Sequence, residues 1–485
     1  MTRKGRFNHV GPKLILASSA LAFVSFLAFV FPAPTLIAVA ATVAVLFTIW
    51  FPEWALYIYA VSLFLFQVPV QVPAPGGSTV PVSVPTLTAI LFITAACLRR
   101  LISPEETTIR SRIPLLLGFV SIVYLMLALL NHHWTFAHRQ MALTYFALFA
   151  TTLAAAYELR DPLRAWRVSW IFCVGSATVS LEAIYEGWTG RYNLFGLFPS
   201  HESRAYGLAD PNYTAAFLVT TLPFAFALLI RAQRTMLKLI MVALIGLSLV
   251  GLGMTASRGG VLGCILTLGA CLLFLPPKRT MARSDRSQRR LLAGAWSRAG
   301  VLAVILAGVG FAAYVAPQDL WDRISTTQED EVSKPKRDDR LEIWNDYLER
   351  WRESPWIGKG AGFLEERWME PHNTHLQNLV EVGVVGLAGF LLLNAFGFWE
   401  SLTAAKRFAR QGVTDLAALS GAVAASLVGF HVTAFFLTSA AHKEMWFLIG
   451  FGGALCHLSR SHRGNPLAAK LADLPLTNPL LLGNR

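Results

Sequence analysis

The chain has 485 residues, of which 54% are hydrophobic and only 15% are charged. A soluble protein of this length carries about a quarter charged residues, so the composition excludes a soluble globular fold. The formal net charge of +13 would suit nucleic-acid binding, but the basic residues lie in short breaks between long apolar segments. That distribution is typical of the cytoplasmic loops of membrane proteins, and we therefore expect no nucleic-acid partner.

Apolar segments of about 17 or more residues recur along the chain, and each is long enough to cross a bilayer as a helix. Because a lipid-exposed backbone must satisfy its own hydrogen bonds, the predicted fold class is an all-α polytopic integral membrane protein. We predict about 12–14 transmembrane helices in contact with membrane lipids, with both termini in the cytoplasm. The predicted spans are 13–31, 35–50, 53–70, 85–99, 113–131, 139–157, 163–185, 212–230, 236–253, 258–276, 298–316, 374–397, 414–432 and 440–458.

Loops between these spans divide the chain into five predicted regions. Residues 1–211 form N-terminal transmembrane helices with an outward loop at 187–211, and residues 212–316 form the central transmembrane helices. A large outward loop follows at 317–373, then C-terminal transmembrane helices at 374–460 and a cytoplasmic tail at 461–485. Residues 71–85 are proline-rich and uncharged, and we predict a loop there.

The large loop contains a pattern that predicts a short amphipathic helix. Its apolar positions recur at helical spacing, and the run stops at a Ser-Pro pair. Those positions are Leu341, Trp344, Leu348 and Trp351. Asp346 and Arg350 are spaced for an i,i+4 ion pair. We expect the tryptophan face of this helix to lie on the bilayer interface, where indole rings are favoured.

Three glycines, at positions 358, 360 and 362, follow that helix and predict a flexible turn. A phosphate-binding loop is not expected here, because no Lys-Ser/Thr pair follows and no strand precedes.

Three places in the predicted outward loops carry ionisable residues at the ends of spans, where such residues are candidates for function. Arg258 lies in the turn TASRGG, against the usual inside bias of basic residues. Its alternative is a side chain that reaches lipid phosphates. Arg204 lies in the loop before Asp210 and Asn212, both of which can cap the following helix. A solvated arginine and an anion-binding arginine fit Arg204 equally well.

The third place is the sequence PHNTH, in which His372 directly precedes a predicted span. A neutral imidazole can take a proton from a hydroxyl group, so His372 is a candidate general base. Its alternative is a loop histidine that caps the helix together with Asn373. A zinc site at His372 and His375 is disfavoured because no HExxH motif is present. Guanidinium groups bind phosphate bidentately, so outward arginines beside a histidine would suit transfer from a pyrophosphate leaving group.

At this point the sequence resembles the O-antigen ligase and Wzy-type polymerase superfamily of bacterial surface-polysaccharide assembly. His372-Asn373, nine further residues and then GVVG at 383–386 match the ligase-type pattern H-[NSQ]-x9-G-x-x-[GTY]. Arg340, Trp344 and the sequence SPWIGKG at 354–360 resemble the lead-in of the same family domain, and SRGG and DPN resemble further family blocks. The resemblance covers roughly residues 194–398.

The resemblance implies a GT-C-like fold in the bacterial inner membrane and glycosyl transfer on the periplasmic side, without metal or other cofactor. The implied partners are an undecaprenyl-pyrophosphate-linked glycan donor and a lipid A core, glycan or protein acceptor. His372 would act on the acceptor hydroxyl, and the transfer would invert the anomeric carbon. The resemblance implies that Arg204 and Arg258 bind the pyrophosphate, whereas His375 is an extra histidine one helical turn after His372. The predicted substrate-binding residues are Arg204, Arg258, Arg340, Asn373 and His375.

Alternatives within the superfamily are a Wzy-type polymerase and a protein O-oligosaccharyltransferase, whose site chemistry would be alike. A different class, a transporter or flippase for a lipid-linked saccharide, would predict charges deep within spans and an internal repeat. The polar residues lie at helix ends and no convincing repeat is found, which favours the enzyme over the transporter. An assembly scaffold without catalysis is the third alternative.

Overall fold

The computed structural model describes residues 51–65, 69–73, 79–102, 109–130, 136–189, 210–276, 340–363, 370–438 and 442–461. This part of the chain is built of α-helices apart from one two-stranded hairpin, which confirms the predicted helical membrane fold class. The first eight helices are α1 Pro52–Ser62, α2 Val84–Ile102, α3 Ile113–Leu130, α4 Phe136–Glu158, α5 Pro162–Thr189, α6 Pro211–Arg231, α7 Thr235–Met254 and α8 Arg258–Phe274. The others are α9 Arg340–Glu353, α10 Thr374–Arg410, α11 Thr414–Ala434 and α12 Lys443–Ser461.

Among the described residues, 7 helices are long and apolar enough to cross a membrane, namely α2, α3, α5, α6, α7, α10 and α11. Helix α8, with 17 residues, is a shorter apolar helix beside them. The predicted spans 13–31, 35–50 and 298–316 lie outside the described residues, so the total of about 12–14 helices stays a prediction.

The chain between α1 and α2 differs from the prediction of a span at 53–70 and a loop at 71–85. Helix α1 ends at Ser62, a 3₁₀ turn follows at Leu63–Leu65, and strands β1 (Pro69–Pro73) and β2 (Thr79–Ser83) pair antiparallel. Alternating valines place Val70 opposite Val82, and β-branched residues favour extended pairing. Prolines at 69, 73 and 81 disfavour helix, which explains why the apolar run does not continue as one.

The helix ends fall into two groups with different side chains. At one end, basic residues of the predicted cytoplasmic clusters are tied into the bundle by buried carboxylates. Arg99 contacts Glu158 at 2.8 Å, and the Arg112 backbone N–H donates to Glu400 at 2.7 Å. At the opposite end lie the start of α6, the end of α7, the start of α8 and the start of α10. We call this the site end, because Arg258 and His372 are both there.

Helices α6 and α11 form the centre of the bundle. In each of them, 83% of the most apolar 18-residue stretch is buried. Helix α8 approaches them closely because it presents small residues. A Cβ at Gly259 would stand 2.7 Å from the Phe436 side chain, and one at Gly260 would stand 2.6 Å from the Ala215 methyl group. This close packing, typical of membrane helices, fixes the start of α8 against α11 and α6.

Candidate functional site

Helix α10 is broken at Gly383, whose backbone has φ 66 and ψ −173. The break frees backbone groups on both sides, and the loop Pro355–Gly362, which we call the glycine loop, bonds to them. Lys359 N–H donates to the Val380 carbonyl at 2.8 Å, and Gly360 N–H donates to the Glu381 backbone carbonyl at 2.8 Å. In return, Val384 N–H donates to the Pro355 carbonyl at 2.9 Å. Backbone groups at membrane depth need hydrogen-bond partners, so the glycine loop stabilises the break in α10.

The glycine loop is therefore fixed to α10. Its turn character is confirmed by positive φ angles of 73 at Gly358, 107 at Gly360 and 90 at Gly362. Glu381, which is 0% exposed, accepts a hydrogen bond at Oε1 from Gly362 N–H at 3.2 Å. The predicted flexible turn is thus an anchored one, whose peptide groups replace the helical partners that α10 lacks.

The amphipathic helix predicted in the large loop is α9, and its ion pair is present. Arg350 Nε donates to Asp346 at 2.8 Å, and this hydrogen bond raises the pKa of the Arg350 guanidinium above its ordinary value. The expected location of α9 at the bilayer interface stays a prediction. Its apolar face, which includes Trp344 and the buried Tyr347, packs against Leu376 in the first turn of α10. Burial of apolar surface against α10 stabilises the position of α9.

His372 is held in an uncommon backbone conformation with φ 46. The residue before it is fixed by α9, because Trp344 Nε1 donates to the Pro371 carbonyl at 2.8 Å. The residue after it, Asn373, is buried and caps α10 by accepting N–H bonds from His375 at 3.0 Å and Leu376 at 3.1 Å. Such backbone strain in a residue with a Cβ is frequent at functional sites. His372 itself is half-buried, and its Nδ1 has no hydrogen-bond partner among the described residues.

His375 contacts a different set of residues from His372. Its ring stacks on His431 of α11 at 5.6 Å between centroids and lies 4.5 Å from the Phe435 ring. Phe390 completes this aromatic group at 6.4 Å. The structure therefore favours a packing role for His375 between α10 and α11.

Arg258 is the first residue of α8 and is exposed. Within the described ranges it forms no ion pair. Ser257 caps the helix by accepting from Gly260 N–H at 3.2 Å, and it donates to Asn212 at 2.9 Å. In the turn before it, Ala256 has φ 48. Ala256 and His372 are the non-glycine residues with positive φ in the described part of the chain; one lies two residues before Arg258 and the other is itself a predicted site residue.

A short segment at the end of α11, Phe435–Thr438, connects the two places; we call it the junction segment. Phe436 packs against Gly259, next to Arg258. The adjacent Leu437 carbonyl accepts the Thr374 hydroxyl at 2.6 Å, two residues after His372. Because successive Cα atoms are about 3.8 Å apart, the start of α8 and the start of α10 flank one small surface.

The other predicted site residues fall into three groups. Arg340 is exposed at the start of α9, one turn before Trp344. Arg204 lies outside the described residues. Asp210 caps α6 by accepting Asn212 N–H at 2.8 Å, as its capping interpretation predicted, whereas Asn212 links α6 to Ser257.

Sequence reasoning missed a cluster at the start of α12. The Tyr213 ring stacks on His442 at 4.7 Å with an interplanar angle of 12°, and its hydroxyl donates to the Thr438 carbonyl at 2.6 Å. His442 Nδ1 lies 3.3 Å from a Glu444 carboxylate oxygen. The signal was the charged run HKE at the outward end of the predicted span 440–458, which is unusual for an apolar segment.

Comparison with known protein families identifies one domain in this chain. Residues 243–391 match the family model of the O-antigen ligase domain, Wzy_C. This domain supports an assignment to the O-antigen ligase and Wzy-type superfamily. Members of this superfamily are ligases or polymerases of the glycosyltransferase kind, so the predicted coarse enzyme class is confirmed. No curated protein matches the chain.

The O-antigen ligase domain begins within α7 and ends within α10. It therefore contains the Arg258 turn, α9, the glycine loop, His372 and the helix break at Gly383. Arg204 and the start of α6 lie before the matched residues. The family match thus covers α8, α9 and the first part of α10, together with Arg258, Arg340 and His372.

Proposed function

We propose that this O-antigen ligase domain protein transfers a glycan from undecaprenyl pyrophosphate to an acceptor hydroxyl group, as a ligase. The observation that carries the proposal is that the junction segment contacts Gly259, next to Arg258, and Thr374, two residues after His372. An exposed cation that forms no ion pair in the described part of the chain suits a pyrophosphate, and a half-buried imidazole suits a proton acceptor.

The proposed reaction is a single displacement. The acceptor oxygen bonds to the anomeric carbon while the bond from that carbon to the pyrophosphate oxygen breaks. The electron pair of the broken bond leaves with undecaprenyl pyrophosphate, and the acceptor proton passes to His372. This scheme inverts the anomeric configuration and uses no metal or other cofactor. Arg258 would stabilise the negative charge that develops on the leaving group. Such electrostatic stabilisation is usually the largest single contribution to catalysis.

The remaining residues would assist binding. Arg204 would join Arg258 at the pyrophosphate, and Arg340 on α9 would contact the substrates from the opposite side of His372. Asn373 would act by holding the first turn of α10 through its cap. His375 would contribute through its packing on α11 more than through direct contact.

We place the protein in the bacterial inner membrane with the site facing the periplasm. The support is the grouping of the basic clusters at the end of the bundle opposite to Arg258 and His372, since basic residues favour the cytoplasmic side. A reporter fused next to α9 tests this placement. A cytoplasmic signal from that fusion would refute the periplasmic site.

Reconstitution in proteoliposomes tests the reaction. The wild-type protein receives an undecaprenyl-pyrophosphate glycan and, separately, a lipid A core, a glycan and a serine-containing protein as acceptors. We expect His372→Ala to lower the transfer rate by at least about 100-fold while donor binding is retained, which is the usual effect of losing a general base. Arg258→Ala should instead raise the donor KM.

The acceptor that reacts distinguishes a ligase from a polymerase and from a protein O-oligosaccharyltransferase. Movement of the lipid-linked saccharide across the bilayer without transfer would favour the transporter. Full activity in a double variant, His372→Ala with Arg258→Ala, would refute the proposed chemistry and favour a scaffold.

A further inference from the structure

The start of α12 carries three ionisable side chains in a row that the proposed reaction does not use: His442, Lys443 and Glu444. Glu444 is only 6% exposed, and one of its carboxylate oxygens has no hydrogen-bond partner among the described residues. Its other oxygen lies 3.3 Å from His442 Nδ1. A buried carboxylate is costly unless a polar partner compensates it, and His442 is the partner of this oxygen.

Two contacts fix the orientation of the His442 ring. Glu444 holds one edge through Nδ1, and the Tyr213 ring covers one face at 4.7 Å. Tyr213 is itself fixed, because its hydroxyl donates to Thr438 in the junction segment at 2.6 Å. A histidine whose ring is oriented by a carboxylate and by stacking is typical of functional sites, where the second nitrogen meets a ligand.

The position of Tyr213 relates His442 to both sides of the proposed site. On one side, Tyr213 follows Asn212, which accepts a hydrogen bond from Ser257 directly before Arg258. On the other side, the Tyr213 hydroxyl donates to Thr438 in the junction segment, whose Leu437 carbonyl accepts from Thr374, two residues after His372. The covalent and hydrogen-bonded path to Arg258 is the more direct one, which places His442 on the side of the proposed pyrophosphate.

We propose that His442 is a further substrate-contacting residue of this site, and that it binds the diphosphate group of the lipid-linked donor. The inference rests on the proposed function. With the diphosphate bound, the imidazolium form of the ring would donate from Nδ1 to Glu444 and from Nε2 to a phosphate oxygen, so that His442 and Arg258 share the negative charge of the donor. The neighbouring Lys443 turns to the hairpin, where its Nζ lies 3.4 Å from Ser83 Oγ. Of the nearby carboxylates, Asp210 is engaged in capping α6.

Binding of undecaprenyl pyrophosphate to the full-length protein in nanodiscs tests the proposal without requiring transfer. His442→Phe keeps a ring to stack on Tyr213 but removes both nitrogens, and we expect the Kd to rise about tenfold, as for the loss of one charge-assisted hydrogen bond. Glu444→Gln keeps the shape of the carboxylate but lowers the charge on His442, and a rise of about threefold is expected. The donor KM should follow the Kd, with the acceptor KM unchanged.

His457→Gln is the matched control, because His457 lies at the other end of α12 and accepts the Arg110 backbone N–H at 2.9 Å. It should leave the Kd for undecaprenyl pyrophosphate unchanged even if thermal stability falls. If His442→Phe does not fold, Glu444→Gln alone decides the question. An unchanged Kd in the variants at 442 and 444 that fold would overturn the proposal. So would an equal loss in the control, or an equal loss of binding to phosphatidic acid vesicles.

The two proposals fail separately. A wild-type protein that binds undecaprenyl pyrophosphate in a His442-dependent way but glycosylates no acceptor supports the contact and refutes the transfer. Normal transfer with a Kd that does not depend on His442 supports the transfer and refutes the contact.

Discussion

Gly358 and Gly383 lie directly against each other, each in a backbone conformation with positive φ. A Cβ added at Gly358 would overlap the Glu381 carbonyl, and one added at Gly383 would overlap the Trp356 carbonyl. The two glycines belong to different blocks of the family resemblance, one in SPWIGKG and one in the x9-Gly pattern. Their contact explains both blocks physically, since the glycine loop and the break in α10 fit together only without side chains at these positions.

We expect Gly383→Ala to destabilise the protein by about 3 kcal/mol or more, because the methyl group meets a backbone carbonyl and the residue has φ 66. Transfer should be lost together with folding of the α10 break. Thermal unfolding in detergent measures the stability, and hydrogen exchange at 355–362 reports the release of the glycine loop.

Gly412→Ala is the control, because Gly412 has φ 81 but nothing lies within 4 Å of its added Cβ. The conformational cost alone should destabilise this variant by about 1 kcal/mol. Equal effects of the two substitutions would show that the contact between the glycine loop and α10 contributes little.

Trp344 is expected to position His372 through the hydrogen bond from its indole N–H to the Pro371 carbonyl. Trp344→Phe removes this donor but keeps an aromatic ring in the α9 face. We expect kcat for transfer to fall about tenfold with little change in either KM, because a small misplacement of a catalytic group costs rate more than binding. Steady-state kinetics in proteoliposomes measures the effect.

Trp351→Phe provides a matched comparison on the same helix, since Trp351 donates in the same way to the Pro355 carbonyl at 3.1 Å. The Pro355 carbonyl belongs to the glycine loop, whereas Trp344 donates to the residue directly before His372. We expect a loss of stability without a selective loss of kcat. Equal kcat values for the two variants would contradict a positioning role for Trp344.

His375→Phe is expected to keep most of the transfer activity, within about threefold, because the aromatic contacts with His431 and Phe435 are retained by a ring of similar size. The side-by-side comparison is His372→Phe, which should be inactive. Loss of transfer in both variants would return His375 to the list of substrate-contacting residues. Circular dichroism and size-exclusion profiles check that each variant is folded.

Local patterns in the sequence were sufficient for much of the fold. Hydropathy predicted the spans, since each apolar segment must satisfy its backbone within one helix, and helical periodicity predicted α9 before its partner was known. Capping residues such as Asp210 and Asn373 were also readable, because a cap bonds to N–H groups only two or three residues away. The hairpin at Pro69–Ser83 was missed, because strand pairing depends on a partner that hydropathy does not reveal.

The sequence by itself therefore determined the membrane class, the amphipathic α9 and the family motif around His372, all of which are encoded by neighbours in the chain. Only the tertiary structure decided which residues meet. The pairing of Gly358 with Gly383, the bond from Ser257 to Asn212 and the stack of Tyr213 on His442 join residues far apart in the chain. Such contacts depend on how helices pack, and close packing is a property of facing surfaces that no single segment contains.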